Sequence, residues 1–168
     1  MYDTPRAIEQ ILTMLEATPQ RLADLTAGIP AAQLLTPPAP GEWSARDVLA
    51  HLRACSDMWG QAIGVILSED RPTFKAVNPT TWIKQTDYLE QSFRPSLHAF
   101  TVQRADLLAV LKPLAPAAWS RAATVTGAGK SRERTVYTYA QWLANHEHSH
   151  LKQIERIVKS LVTSSDGP

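Results

Sequence analysis

The chain has 168 residues, 44% of them hydrophobic and 20% charged, with a formal net charge of +1. That length supports one domain with a core of its own, and the composition is that of a globular protein rather than a disordered or fibrous one. Near-neutral charge excludes a global field for nucleic acid or an anionic membrane surface, and the single cysteine excludes an internal disulfide framework.

Thr4-Pro5 reads as an N-cap followed by a first-turn proline. From there Ile8, Ile11, Leu12, Leu15, Leu22, Leu25 and Ile29 keep helical phase, with Pro19 as a kink or a restart. Residues 30–41, rich in proline, read as a loop with one short turn around 31–35. Ser44 and Asp47 form an N-cap and a weak capping box for a second helix, from 44 to about 68. Its apolar stripe is Val48, Leu52, Trp59, Ala62, Ile63 and Ile66.

Residues 69–79 are a connection full of breakers. Helical pattern resumes near Thr80 and runs through Leu111, with Pro95 as a kink or an internal start, until Pro113 and Pro116 end it. Residues 119–134 do not read as helix; Ala123-Thr-Val-Thr126 followed by Gly127-Ala-Gly129 suggests a long loop or a small hairpin. The last helix is expected from about 138 to 161. The pattern predicts an all-α fold: a four-helix bundle with long inter-helix connections and a possible small hairpin before the last helix. One domain would span 1–162, with 163–168 a frayed tail. The N-terminus lacks the charged and apolar regions of a signal peptide, and no apolar run reaches the about 20 residues of a spanning helix. The expectation is a cytoplasmic chain that touches neither membrane nor nucleic acid.

The last helix carries His146-Glu147-His148-Ser149-His150. Steps of about 100° per residue place His146 and His150 within roughly 60° of the centre of an apolar face built on Leu143, Ile154 and Leu161. His148 goes to the other side. Two imidazoles one turn apart can grip one metal ion; they can also be core histidines bonded to carbonyls or to each other. His51 and Cys55 share the stripe of the second helix, so a third inward histidine comes from a different element. Three neutral nitrogens with a position left open suit a catalytic metal rather than a closed structural one.

Glu147 lies on the same inward arc, as a base beside the metal or as a carboxylate paired with a cation. Residues 146–150 also fit His-Glu-x-x-His of zinc peptidases, but Gln153 and Arg156 stand where the extended motif needs glycine and histidine, and Glu155 is the only late ligand candidate. Gln153 can orient a ligand or cap a carbonyl, and Asp47 can orient His51 or serve only as a cap. Cys55 is a ligand, a nucleophile or a small buried hydrophobe. His98 has no companion ligand. Arg132 and Arg134 are solvated loop residues or hold a substrate carboxylate, and Trp43 and Trp142 are core or pocket residues.

Pro40-Gly41-Glu42-Trp43-Ser44-Ala45-Arg46-Asp47-Val48-Leu49-Ala50-His51-Leu52 and Asn145-His146-Glu147-His148-Ser149-His150-Leu151-Lys152-Gln153-Ile154 together resemble the DinB/YfiT-like superfamily, with its bacillithiol S-transferase and mycothiol-dependent maleylpyruvate isomerase branches. The resemblance implies a four-helix bundle, often a homodimer, with a divalent metal, zinc or nickel, on His51, His146 and His150. It implies transfer of a low-molecular-weight thiol such as bacillithiol or mycothiol onto an electrophilic small-molecule substrate, Cys55 standing by. The rival expectations are a metal-dependent hydrolase of a small ester or amide with Glu147 as base, and a non-catalytic bundle that binds metal for stability or sensing.

Overall fold

The computed structural model describes residues 5–165. Thr4, the expected first cap, lies outside the described residues. The first helix, α1 (Ile8–Thr26), has its N-terminus closed by the Gln10 side chain, whose Oε1 accepts from the Ala7 N–H at 3.0 Å. It runs unbroken through Pro19, so the chain does not restart there. One short turn, α2 (Ala31–Leu34), interrupts the proline-rich loop.

The helix α3 (Ala45–Ser68) starts as its sequence predicts: Ser44 Oγ accepts from the Asp47 N–H at 3.2 Å, and Asp47 Oδ2 accepts from the Ser44 N–H at 3.0 Å. A strand, β1 (Thr73–Lys75), follows in the segment read as a plain connection. Three residues are too few for alternation to register, and their partner lies some fifty residues downstream.

Of the two readings of residues 80–111, a kink at Pro95 or an internal start there, the structure takes the internal start. The chain makes a short turn, α4 (Pro79–Trp82), a 3-10 turn at Ile83–Gln85 and a separate helix, α5 (Phe93–Leu111). Trp82 Nε1 and Tyr88 Oη both donate to Asp57 Oδ2 on α3, at 3.0 and 2.7 Å, and pin the intervening segment there. Pro95 falls in the first turn of α5, where its missing N–H costs nothing.

After α6 (Pro116–Trp119), strands β2 (Ala122–Thr126) and β3 (Arg132–Thr135) form an antiparallel hairpin with Ala122 opposite Thr135. Gly127 and Gly129 turn it with φ of 84° and 82°, a region that other residues rarely enter. β1 adds to β2 in parallel, Thr73 opposite Thr124. The last helix, α7 (Val136–Ser165), begins directly after the hairpin and continues past the boundary expected at 162; residues 166–168 lie outside the described residues.

α7 packs on α1 and α3, and α5 packs on the same two, giving a four-helix bundle with a small sheet at one side. Two apolar clusters fill it. One joins Ile11, Leu15, Ile63, Leu111, Val136 and Leu143; the other joins Leu22, Leu49, Leu52, Phe100, Leu151 and Ile154. On α7 the stretch 146–150 falls between the two, so inward polar side chains meet at the seam. No helix of the described residues is long and apolar enough to cross a membrane.

Candidate metal centre

The seam gathers three imidazoles edge to edge. His146 Nε2 lies 3.0 Å from His51 Nε2 and 3.1 Å from His150 Nε2. The sulfur of Cys55 joins them, 3.7 Å from His51 Nε2 and 3.9 Å from His146 Nε2. His51, Cys55 and His146 form one compact donor triad, and His150 reaches it through His146. His51 and Cys55 turn inward together because α3 keeps one phase throughout.

Second contacts fix the ring orientations. Gln153 Oε1 sits 2.7 Å from His150 Nδ1 and accepts its hydrogen, which leaves the lone pair on Nε2 facing the cluster. Trp43 stacks on His150 with centroids 6.4 Å apart and planes 13° from parallel, although 43% of Trp43 remains exposed. Trp59 meets His146 edge-on at 5.3 Å. Nδ1 of His146 is buried and has no hydrogen-bond partner among the described residues.

Burial disfavours the charged form of all three imidazoles. The His51 pKa is lowered to about 4 by desolvation and then by the neighbouring His150 charge. That of His146 falls to about 3, from desolvation and then from His150 and His51. His150 is lowered too, by burial, with the Gln153 bond and Glu147 pulling the other way. Burial, helped by the Glu147 charge, pushes the Cys55 thiol up to about 12.

This donor set fits a cation. A neutral imidazole shares one hydrogen with one acceptor, so three facing nitrogens leave lone pairs pointed at each other. An ion held at about 2.0–2.1 Å from two imidazole nitrogens sets them about 3–3.4 Å apart, the spacing seen here.

Glu147 does not join the cluster. Arg104 Nη1 donates to Glu147 Oε2 at 2.7 Å and Nη2 donates to Oε1, with both residues almost wholly buried. Both oxygens are thus taken by a guanidinium, the cation-paired arrangement that is one of the two readings of Glu147. Arg104 itself escaped notice, yet a signal existed: it interrupts the stripe Leu97, Phe100, Leu108 and Leu111 of α5. His148, expected to face water, is only partly exposed and lies beyond the cluster, while His98 is exposed. Glu155 pairs with Lys159 at 2.9 Å on the surface, and Asp47 is used as a cap.

Cavities lined by described residues flank the cluster. On one side Trp43, His150, Gln153 and Arg156 line a cavity of about 600 Å³. On the other, Cys55 and His146 form the floor of a cavity of about 260 Å³ whose walls are Trp59, Pro79 and Trp142.

Comparison with known proteins places the chain in a family. A Geobacillus thermodenitrificans protein named "Putative metal-dependent hydrolase" is 23% identical over 156 residues, covering 89% of this chain and 84% of its own length. The solved structure of YfiT from Bacillus subtilis, described as a probable metal-dependent hydrolase with an unusual four-helix bundle topology, superposes with a TM-score of 0.78 at 20% identity. That match covers 93% of this chain and 91% of YfiT, and at such identity it speaks to the fold. Residues 14–154 match the sequence profile of the DinB superfamily, and with most of its length inside that match the chain belongs to this superfamily.

Proposed function

We propose that this protein is a metal-dependent enzyme acting on small molecules, with a divalent cation, zinc or nickel, held by Nε2 of His51, His146 and His150. The observation that carries the reading is the convergence of three neutral Nε2 atoms, two pairs of them 3.0 and 3.1 Å apart. His150 ranks above Cys55 as third donor because Gln153 aims its lone pair inward. A bound cation would supply Lewis acidity, lowering the proton affinity of a thiol or a water that reaches its open position. The histidines bind as neutral donors, Gln153 orients His150, and Trp43, Trp59 and Trp142 wall the approaches to the centre.

The reaction we infer is transfer of a low-molecular-weight thiol, bacillithiol or mycothiol, to an electrophilic small molecule. The sulfur forms the new bond and the leaving group departs with its electron pair. Because Glu147 is bound up with Arg104, this end of α7 offers no free carboxylate as base, which suits a thiol better than a water nucleophile. Hydrolysis of a small ester or amide is the second reading, favoured by the names that the Geobacillus protein and YfiT carry.

Elemental analysis of the purified protein beside His51→Ala, His146→Ala and His150→Ala tests the centre. The parent should hold one equivalent of metal, and each variant should lose it while the helical circular dichroism persists. Stoichiometric metal in His51→Ala overturns the assignment. Turnover of electrophiles with bacillithiol or mycothiol, set against ester and amide hydrolysis without thiol, separates the two reactions. Loss of melting temperature on chelation with no turnover in either screen points to a structural ion.

A further inference from the structure

The 260 Å³ cavity at Cys55 and His146 shares Trp59, Pro79 and Trp142 with a larger one of about 510 Å³. The larger cavity lies between α3, α7 and the three-stranded sheet, and its volume suits a small organic ligand. Its floor is apolar: Met58, Ala62, Val65, Phe74, Val125 and Trp142. Its rim carries Lys75, Lys130, Arg132 and Arg134, and no carboxylate of the described residues lines it.

That charge is placed by the sheet. Arg132 and Arg134 stand two apart on β3 and therefore share a face, while Glu133 takes the opposite face and meets Arg71 at 3.6 Å. Among the described residues none of the four rim cations enters an ion pair or a hydrogen bond. Arg134 is only partly exposed, and its guanidinium lies 4.7 Å from the centre of the Trp142 ring, fixed against the wall that separates the two cavities. Lys75, Lys130 and Arg132 are exposed and screened by water. Arg134 is thus the strongest anion anchor, because it is oriented, partly desolvated and without a counter-charge.

We infer that the large cavity binds a small organic acid, its carboxylate held by Arg134 with Arg132, its apolar body on Phe74 and Val125, and its reacting end directed past Trp59 and Trp142 to the histidines. This deepens the proposed function and rests on it for the reacting end alone. It leaves the opening at Trp43 and His150 as the approach for the second reactant.

The test titrates metal-free and metal-loaded protein with 4-phenylbutyrate and with 4-phenylbutanamide, following tryptophan fluorescence and calorimetry. The acid should bind at least about tenfold more tightly than the amide at low salt, in both metal states, and the difference should shrink with added salt. In Arg132→Gln/Arg134→Gln the preference should fall below about twofold with metal content unchanged. Arg134→Lys keeps the charge without the fork and should retain a preference of a few-fold, which also guards against misfolding of the double variant. Equal affinities for acid and amide overturn the inference, as does a preference that survives the double variant or one as small in Arg134→Lys as in the double variant. A preference confined to metal-loaded protein also overturns it, since the cation would then read the carboxylate. Metal-free titration keeps this result separate from the fate of the metal assignment.

Discussion

The guanidinium of Arg104 on α5 grips both carboxylate oxygens of Glu147 on α7, with side chains only 2% and 1% exposed. The same guanidinium donates to Ser56 Oγ on α3 at 2.9 Å and to the Leu15 carbonyl on α1 at 3.2 Å, so one residue ties all four long helices together. The knot lies in the turn of α7 that also carries His146, and it holds that turn in place.

Breaking the pair on one side should be costly. Glu147→Gln strands a buried guanidinium and is expected to lower unfolding stability by about 3–5 kcal/mol in urea titration. Arg104→Met/Glu147→Leu removes both charges and should recover much of that loss. A Glu147→Gln variant within about 1 kcal/mol of the parent shows that the pair is not structural.

Gln153 should matter through His150. Removing its Oε1 in Gln153→Ala frees the ring to turn and take the other tautomer, so metal affinity should weaken about 10–100-fold in competition with a chromogenic chelator. Unchanged affinity removes Gln153 from the centre.

Cys55 separates the two overlapping donor sets. If the three histidines hold the ion, Cys55→Ala keeps one equivalent of metal, and the cobalt-loaded parent shows no sulfur-to-metal charge-transfer band. A variant stripped of metal, or a strong band in the parent, moves the donor set to His51, Cys55 and His146.

Acid should weaken the metal-free protein through the histidines. Their folded pKa values, about 4 for His51 and about 3 for His146, lie below the ordinary unfolded value near 6.5. Below 6.5 the unfolded chain takes up protons that the folded one refuses, so stability falls as pH drops from there toward the folded values. The melting temperature should fall on the order of 5 °C between pH 7 and pH 5, with a flatter profile in His51→Ala/His146→Ala. Identical profiles for parent and variant break the link.

Much of this fold was legible residue by residue. The Ser44 and Asp47 cap, the short turn near 31, the Gly127 and Gly129 hairpin and the long final helix all rest on local chemistry, and each stands where the sequence puts it. Pro95 marked the internal start of α5, but the course of the segment before it was not legible, because it depends on Asp57 receiving Trp82 and Tyr88 from another element. Nor was β1, whose hydrogen bonds are all supplied by a distant strand.

The chain by itself determined which side chains turn inward. A helix repeats every 3.6 residues, so the phase of Val48 and Leu52 carries His51 and Cys55 with it, and that of Leu143 and Ile154 carries His146, Glu147 and His150. Only the docking of separate helices decided what those side chains meet. The nitrogens gather within 3.1 Å of His146, Cys55 comes within reach of them, and Glu147 is drawn to an arginine on α5. Periodicity belongs to one helix, whereas the distance between two atoms on different helices depends on every residue packed between them.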